Sequence, residues 1–430
     1  MTAGFFSGSS PLTLVAPRRQ VVGPTPKCWA CRLHLQCQNP KLEVWGEGKR
    51  GVLLVGDAPD ADDDARGRPF VGRGGRLLRR VLNELNVDLD EDCWSMNALA
   101  CHPPRGRAPT SVEVDHCRPT VVNAIRQLQP SVIVLLGDPK KEGSAAIGSV
   151  IGWLWKEDAG GVAKWVGFKV PVQKINTWVC SVWHPNYVAR EAAGRDGRQG
   201  RDYPLIERMF KEQLEAAFAL KGRPWDKVPN YRERVRVILD PNEAAGIIRK
   251  LLNKNAGPVA WDIETNMLGP DGPDAAIWSC SMCAGGESIS YPWHGVAVNE
   301  TLKFLKSDVP KIGFNVRFET RWIKARHGIW VRNWIHDGML AAHVLDNRKD
   351  INGLKFQAFA RLGVDSYDES IRSYLKSNGS RGKNTPNCIH EAPLPLLLEY
   401  GGMDSLLEYE LAMVQMKELN INLKGNRDEN

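Results

Sequence analysis

Val132-Ile133-Val134-Leu135-Leu136 is a run of five apolar residues with no polar alternation, a pattern that suits a strand buried on both faces. Val52-Leu53-Leu54-Val55, ending at Gly56, is a shorter run of the same kind. Strand-like runs near Trp94–Leu99, Phe168–Val172 and Trp178–Val182 alternate with helix-spaced segments at Leu77–Leu85, Ser111–Gln127 and Leu205–Leu220. Continuous apolar strands alternating with helices imply an α/β fold whose mostly parallel sheet is covered on both faces. The segment KGRPWDKVPNYRE, starting at Lys221, is charged and broken by two prolines, so it reads as a linker. A second alternation follows: strand Val235–Leu239, helix Asn242–Leu252, strand Val259–Asp262. A 430-residue chain exceeds what one core usually supports, so two domains are expected. The division is a disordered tail at 1–25, a domain at 26–221, a linker at 222–233, a domain at 234–425 and a tail at 426–430.

The chain is 43% hydrophobic and 25% charged, and no apolar run approaches the ~20 residues that cross a bilayer. It lacks a basic start followed by an apolar core, so neither a membrane span nor a secretion signal is expected, and the cytoplasm is the default location. Of the net charge of +7, the residues before Arg223 contribute 30 Lys/Arg against 24 Asp/Glu, or +6. A basic first half suits a polyanion such as nucleic acid.

Four acids carry the chemistry of the second half: Asp262 and Glu264 in WDIET, Glu319 in NVRFET, and Asp404 in YGGMDSLLEYEL. At a strand end, i and i+2 side chains share a face, so Asp262 and Glu264 can grip one ion. Hard cations such as Mg²⁺ or Mn²⁺ take carboxylate and phosphate oxygens together, and a pair of them can drive in-line attack on a phosphodiester. Tyr400 lies one helical turn before Asp404, where it can hold the attacking water. DIET, N-x-x-F-E and Y-x-x-x-D in this order resemble the tyrosine-containing DEDD 3′–5′ exonucleases, the proofreading domains of family A DNA polymerases. The resemblance implies a ribonuclease H-like fold with a mixed sheet. It also implies that Asp262, Glu264, Glu319 and Asp404 hold two Mg²⁺ or Mn²⁺ ions, with Tyr400 orienting water. Asp337 matches a further acid before a helix, and Glu319 stands where most relatives have Asp. Cys280 and Cys283 lack a second pair and read as buried structural residues.

Ten cysteines in a cytosolic chain point to ligation rather than disulfides. Cys28 and Cys31 form a C-x-x-C, with Cys101 and Cys117 further on; four thiolates suit a [4Fe–4S] cluster or zinc, and spacing does not choose. Cys37 is a competing ligand, whereas Cys93 and Cys180 fall in strands and read as core. GDAPDADDDARGRPFVGRGGRLL, Asn97 ahead of CHPPRGRAP, and WHPNYVAR around His184 resemble the family 4, iron–sulfur uracil-DNA glycosylases. That resemblance implies a parallel-sheet α/β/α sandwich with a [4Fe–4S] cluster on Cys28, Cys31, Cys101 and Cys117. It further implies that Phe70 stacks on a flipped base and Asn97 reads the uracil edge. His184 would stabilise charge on the leaving ring, and Asp57 or Asp63 would orient water or stabilise the sugar cation. Asp57 replaces the usual Glu, Asp60 a Gly and Gly106 an Asn, so a silent DNA-binding scaffold is the rival expectation for this half.

Three smaller readings complete the set. The Asp62–Asp64 run is expected in a solvated loop. Trp153, Trp155 and Trp165, near Lys156 and Lys164, are candidates for stacking on bases. The arginines at 66, 68, 73, 76, 79 and 80 fit a phosphate-contacting surface or a solvated helix face. The chain ends about 25 residues after Asp404, so the function expected is a 3′–5′ DNA exonuclease acting on 3′ ends and primer–templates. It would proofread for a DNA polymerase on a separate chain, in the host cytoplasm if phage-encoded. The alternatives are a bifunctional repair enzyme that excises uracil and trims the strand, and a non-catalytic DNA-binding replication factor.

Overall fold

The computed structural model describes residues 26–139, 143–193, 203–252, 257–377 and 384–421; the two predicted tails lie outside these. In the first unit, strands β1 (Val52–Gly56), β2 (Cys93–Asn97), β3 (Val132–Gly137), β4 (Lys169–Val172) and β5 (Thr177–Trp183) form one sheet in the order β2-β1-β3-β5-β4. All pairings are parallel except that of the edge strand β4, which runs antiparallel to β5. Every residue of β1 and β3 is buried, as their unbroken apolar runs require. Alternate residues feed two cores. Leu53, Val55, Ile133, Leu135 and Val179 face one side, while Val52, Leu54, Val134, Leu136 and Val182 face the other.

The helices covering these faces are α1 (Ala61–Arg66), α2 (Arg73–Glu84), α3 (Ser111–Leu128), α4 (Ala145–Leu154), α5 (Pro185–Ala193) and α6 (Tyr203–Phe218). Asp60 and Thr110 close capping boxes at the starts of α1 and α3, and the Ser144 hydroxyl caps α4. The Asp62–Asp64 run is therefore no solvated loop. It forms the first turn of α1, where Asp63 and Asp64 are buried and Asp64 accepts the Gln38 and Asn39 N–H groups, both at 2.9 Å.

In the second unit, β6 (Val235–Val237), β7 (Val259–Thr265), β8 (Ile277–Ala284), β9 (Glu287–Pro292), β10 (Lys311–Gly313) and β11 (Trp334–Asp337) form a mixed sheet in the order β11-β10-β7-β8-β9-β6. The β7–β8 and β8–β9 pairs are antiparallel and the others parallel. On one face Val259, Trp261 and Ile263 pack beneath α7 (Pro241–Leu251), α8 (Gly295–Lys306) and α9 (Val316–His327). The opposite face, reached by Ala260, Asp262 and Glu264, lies toward α10 (Gly338–Leu345), α11 (Leu354–Leu362) and the long α12 (Leu394–Glu418). The Gly401-Gly402 pair lets α12 lie against this sheet: a Cβ on Gly402 would sit 2.4 Å from Val235 Cγ1, and Ser281 Oγ donates to Gly401 O at 2.7 Å.

The two units share a core. Phe356 and Phe359 of α11 belong to the same buried cluster as Trp155, Trp165 and Val170 of the first unit. Trp155 is 4% exposed and Trp165 1%, so the expectation that they stack on bases fails; both rings are spent on this interface. Trp153 is half-buried against the same core, with Lys174 over its ring. The 222–233 segment runs along the first unit, Trp225 exchanging hydrogen bonds with the Asn176 side chain. Among the described residues, no helix is long and apolar enough to cross a membrane.

Candidate functional sites

β7 and α12 bring Asp262, Glu264 and Asp404 together, one oxygen from each lying within 4.8 Å of the others. Two cavities of about 950 and about 430 Å³ meet here, and Asp262, Tyr400 and Asp404 line both. Burial, and then mutual repulsion, push Asp262 and Glu264 well above the usual carboxylate range. Burial carries Asp404 to about 6, the rise being opposed by the nearby Lys355. Glu319, on α9, is outside that triad but lines the smaller cavity. It is 3% exposed, and its Oε2 has no hydrogen-bond partner. Buried like charges and an unsatisfied carboxylate oxygen are costly unless a cation enters, and an all-oxygen donor set fits a hard divalent ion.

The surrounding residues hold this arrangement. The Tyr367 hydroxyl donates to Asp404 Oδ1, and its ring stacks on Tyr400 with centroids 6.0 Å apart. Burial raises the Tyr400 hydroxyl well above its ordinary range, so it keeps its proton and remains a donor. Asp337 is not free for a metal. Its carboxylate accepts the N–H groups of Asn315, Val316, Met339 and Leu340 at 3.0–3.3 Å, tying the start of α9 to that of α10.

Three residues of this site escaped sequence reasoning: Lys355, Tyr367 and Glu408. Lys355 bonds to Asp368 at 2.6 Å and sits 5.6 Å from the Tyr400 ring centre. Glu408 follows Tyr400 and Asp404 at four-residue steps on one face of α12, is 3% exposed, and has an unpartnered Oε2. The spacing Y-x-x-x-D-x-x-x-E was the available signal for Glu408. Lys355 and Tyr367 carried none, because they reach the site only through the packing of α11. Cys280 and Cys283 are buried, as expected.

In the first unit, Asp57, Asp60 and His184 line a cavity of about 380 Å³ with His102, Arg105 and Arg190. Asp57 Oδ1 accepts from Ser144 Oγ at 2.7 Å and from the Ala146 N–H at 3.0 Å, so part of this carboxylate anchors the start of α4. Asp63 does not line that cavity: it accepts the Val71 N–H at 2.8 Å and the Asp60 N–H at 3.3 Å. Phe70 and Asn97 meet beside Gly56, where an added Cβ would lie 2.4 Å from Asn97 Oδ1 and 2.9 Å from Phe70 Cζ. Phe70 holds φ +58°, a strained conformation for an aromatic residue, and the buried Asn97 Nδ2 has no partner. His184 Nδ1 accepts the Asn186 N–H at 3.1 Å. Several of the arginines make internal pairs: Arg79 is bidentate to Asp90, and Arg80 bonds to Glu207.

Cys28, Cys31, Cys101 and Cys117 line one cavity of about 260 Å³. Cys37 is not part of its lining; its Sγ donates to the carbonyls of Leu33 and His102. The Lys41 N–H points at Cys101 Sγ and the Ala100 N–H at Cys117 Sγ, each at 3.4 Å, as thiolate ligands would require. Burial pushes the Cys101 thiol up to about 12 and raises Cys117 as well, so both stay protonated without a positive centre. Among the described residues no three of these sulfurs lie within 4.8 Å of one another. Four thiols lining one cavity are a donor set that suits an iron–sulfur cluster or a zinc ion. Cys93 and Cys180 are buried core residues, as expected.

Comparison with known proteins divides the chain in the same way. The uracil DNA glycosylase superfamily model matches residues 45–203, and a 3′-5′ exonuclease model matches residues 235–418. The type-4 uracil-DNA glycosylase of Pyrobaculum aerophilum is 34% identical over 168 residues, 39% of this chain and 82% of that protein. The Thermotoga maritima type-4 enzyme is 38% identical over 139 residues, 30% of this chain and 70% of that protein. A DNA polymerase of Bacillus phage SP01 is 22% identical over 366 residues, 77% of this chain but 37% of the polymerase. The chain belongs to the type-4 uracil-DNA glycosylase family through its first half, to which a 3′–5′ exonuclease domain with a mixed α/β sheet is fused.

Proposed function

We propose that the second unit, about residues 234–425, trims DNA 3′ ends with two divalent ions held by Asp262, Glu264, Asp404 and Glu319. The observation that carries this reading is the convergence of the buried Asp404 with the half-buried Asp262 and Glu264 in a cleft beside Tyr400. Bound there, Mg²⁺ or Mn²⁺ would supply Lewis-acid stabilisation and a more acidic water. The chain's own residues position the reactants. Tyr400 keeps its hydroxyl proton and can orient a water toward the scissile phosphate. Tyr367 holds Asp404 by a hydrogen bond, and Lys355 favours its charged form. The test is digestion of a 5′-labelled oligonucleotide with and without Mn²⁺. A 3′-shortened ladder that disappears in Asp262→Ala supports the reading, and metal-independent digestion would sink it.

The first unit, about residues 26–221, would hold a [4Fe–4S] cluster on Cys28, Cys31, Cys101 and Cys117, a reading supported by the four thiols that line one cavity and by the type-4 relatives. The cluster would staple the 28–31 turn to the Cys101 loop and α3. A second reading, uracil excision, is favoured by Asn97 and Phe70. An unpaired buried amide beside a ring held in a strained backbone is a place for a base edge to bind. His184 would stabilise charge on the departing uracil. The decisive measurement is uracil release by the Asp262→Ala/Glu264→Ala protein, which leaves the strand intact. Abasic sites lost on changing Asn97 or His184 would make the protein bifunctional. No release from protein with an intact cluster would leave the first unit a DNA-binding module. Similarity to the Bacillus phage SP01 DNA polymerase over 77% of this chain supports a role beside a DNA polymerase, which on this proposal is a protein on a separate chain in the cytoplasm of an infected host. A gain in fidelity on mixing with such a polymerase is the check.

A further inference from the structure

The larger cavity above the exonuclease acids is not built by the exonuclease unit alone. Glu157, Asp158, Ala163 and Lys164 of the first unit line it together with Asp262, Tyr400 and Asp404. At about 950 Å³ it lies at the upper end of the ~300–1,000 Å³ that small-ligand sites occupy, more than water and two ions need.

The wall from the first unit is held in place by several independent ties. Trp155 and Trp165 bracket the segment, and both are locked against Phe356 and Phe359 of α11. Arg348 Nη1 donates to the carbonyls of Ala163 and Val166, at 2.6 and 2.9 Å. Glu157 pairs with Arg372, which also grips Asp368, the partner of Lys355 beneath the acids. Lys156 pairs with Glu369 at 2.7 Å. A loop anchored this way keeps its side chains at a fixed place relative to the acids.

The charges on this wall are arranged unequally. The Glu157 carboxylate is matched by Arg372, and Asp158 Oδ1 accepts the Gly160 N–H at 3.0 Å. Lys164 is the only cation among the described first-unit residues lining the cavity, and its Nζ bonds to the Asp158 main-chain carbonyl at 3.0 Å rather than to a carboxylate. Lys349 of the second unit also lines the cavity and is exposed. Arg348 and Lys355, by contrast, are tied to Asp346 and Asp368.

We propose that the glycosylase-like unit supplies one wall of the exonuclease's DNA cleft. In it, Lys164 and Lys349 hold the phosphates of a single strand whose 3′ end lies at Asp262 and Asp404. This rests on the exonuclease reading and gives the fused first unit a part in that activity whether or not its own base pocket works. Phosphate neutralisation on a single strand releases about 0.7 counterion per contact, so each lysine adds a measurable salt dependence.

The experiment measures binding of a 5′-fluorescent single-stranded oligonucleotide to full-length protein in an Asp262→Ala background, across a salt series. Lys164→Gln and Lys349→Gln are each expected to weaken binding about 3- to 10-fold and to flatten the log–log salt slope by about 0.7. Lys164→Arg should restore both, which a merely structural role at the interface would not ensure. Unchanged affinity and slope in Lys349→Gln and Lys164→Gln would overturn the cleft. So would a loss in Lys164→Gln that Lys164→Arg fails to rescue, because packing rather than charge would then be responsible. The exonuclease reading fails separately, if protein with Asp262 intact leaves the same oligonucleotide undigested in Mn²⁺.

Discussion

Trp155 of the first unit stacks on Phe359 of the second, with ring centroids 5.6 Å apart and planes inclined by 13°. Both rings are buried in a cluster that continues from the first sheet into α11. Trp155→Ala is therefore expected to cost about 3–5 kcal/mol, as large aromatic truncations do. It should also separate the unfolding of the two units. Denaturant titration followed by circular dichroism reads both effects, and an unshifted single transition would count against a shared core.

Gly363 ends α11 at φ +68°, and an added Cβ would lie 1.7 Å from the Pro171 carbonyl oxygen across the interface. Gly363→Ala strains the backbone and forces the units apart at this point, so it should destabilise by more than about 1 kcal/mol. A thermal melt matching wild type would mean that the close approach is not maintained in solution.

The acids at the exonuclease site bind protons more tightly folded than unfolded, since burial raises Asp404 to about 6 and Asp262, Glu264 and Glu319 well above their ordinary range. Their contribution to stability is fully present below the unfolded carboxylate range of about 4 and is lost as pH rises through about 6 and beyond. Chelator-treated protein should accordingly melt lower at pH 8 than at pH 5. Asp404→Asn should flatten that slope, and added Mn²⁺ should recover the loss at neutral pH. A melting temperature that rises with pH in chelator would contradict the assignment.

Tyr400→Phe removes a hydroxyl but keeps the ring that stacks on Tyr367. Digestion of 3′ ends should slow by about 10²-fold, the lower end of what a positioned proton-handling group supplies, with the melting temperature little changed. Single-turnover digestion is the measurement, and a wild-type rate would remove Tyr400 from the reaction.

Cys101→Ala leaves three of the four thiols that line the proposed cluster cavity. Loss of the brown colour and a lower melting temperature for the first unit are expected, because ligand binding and folding are coupled. Metal analysis of the wild-type protein decides the group itself: zinc in place of iron would overturn the cluster.

Much of this protein could be read from local pattern. The unbroken runs of β1 and β3 announced a parallel sheet buried on both faces. Asp262 and Glu264 had to share a face, and Tyr400 had to sit one turn before Asp404, because strand and helix periodicity follow from backbone geometry alone. The same holds for Glu408, one turn further on, which the pattern offered and the motif overshadowed. Folding decided whatever depends on residues distant in sequence. The burial of Trp155 and Trp165 came from α11, some 200 positions later. The commitment of Asp337 to four main-chain N–H groups came from the meeting of α9 and α10. Tyr367 and Lys355 joined the acids because α11 packs beside α12. No periodicity encodes such contacts, since they are set by how whole elements pack against one another. That is why the shared faces of the acids were legible in the sequence, while the shared core and the cavity lined by both units became visible only in three dimensions.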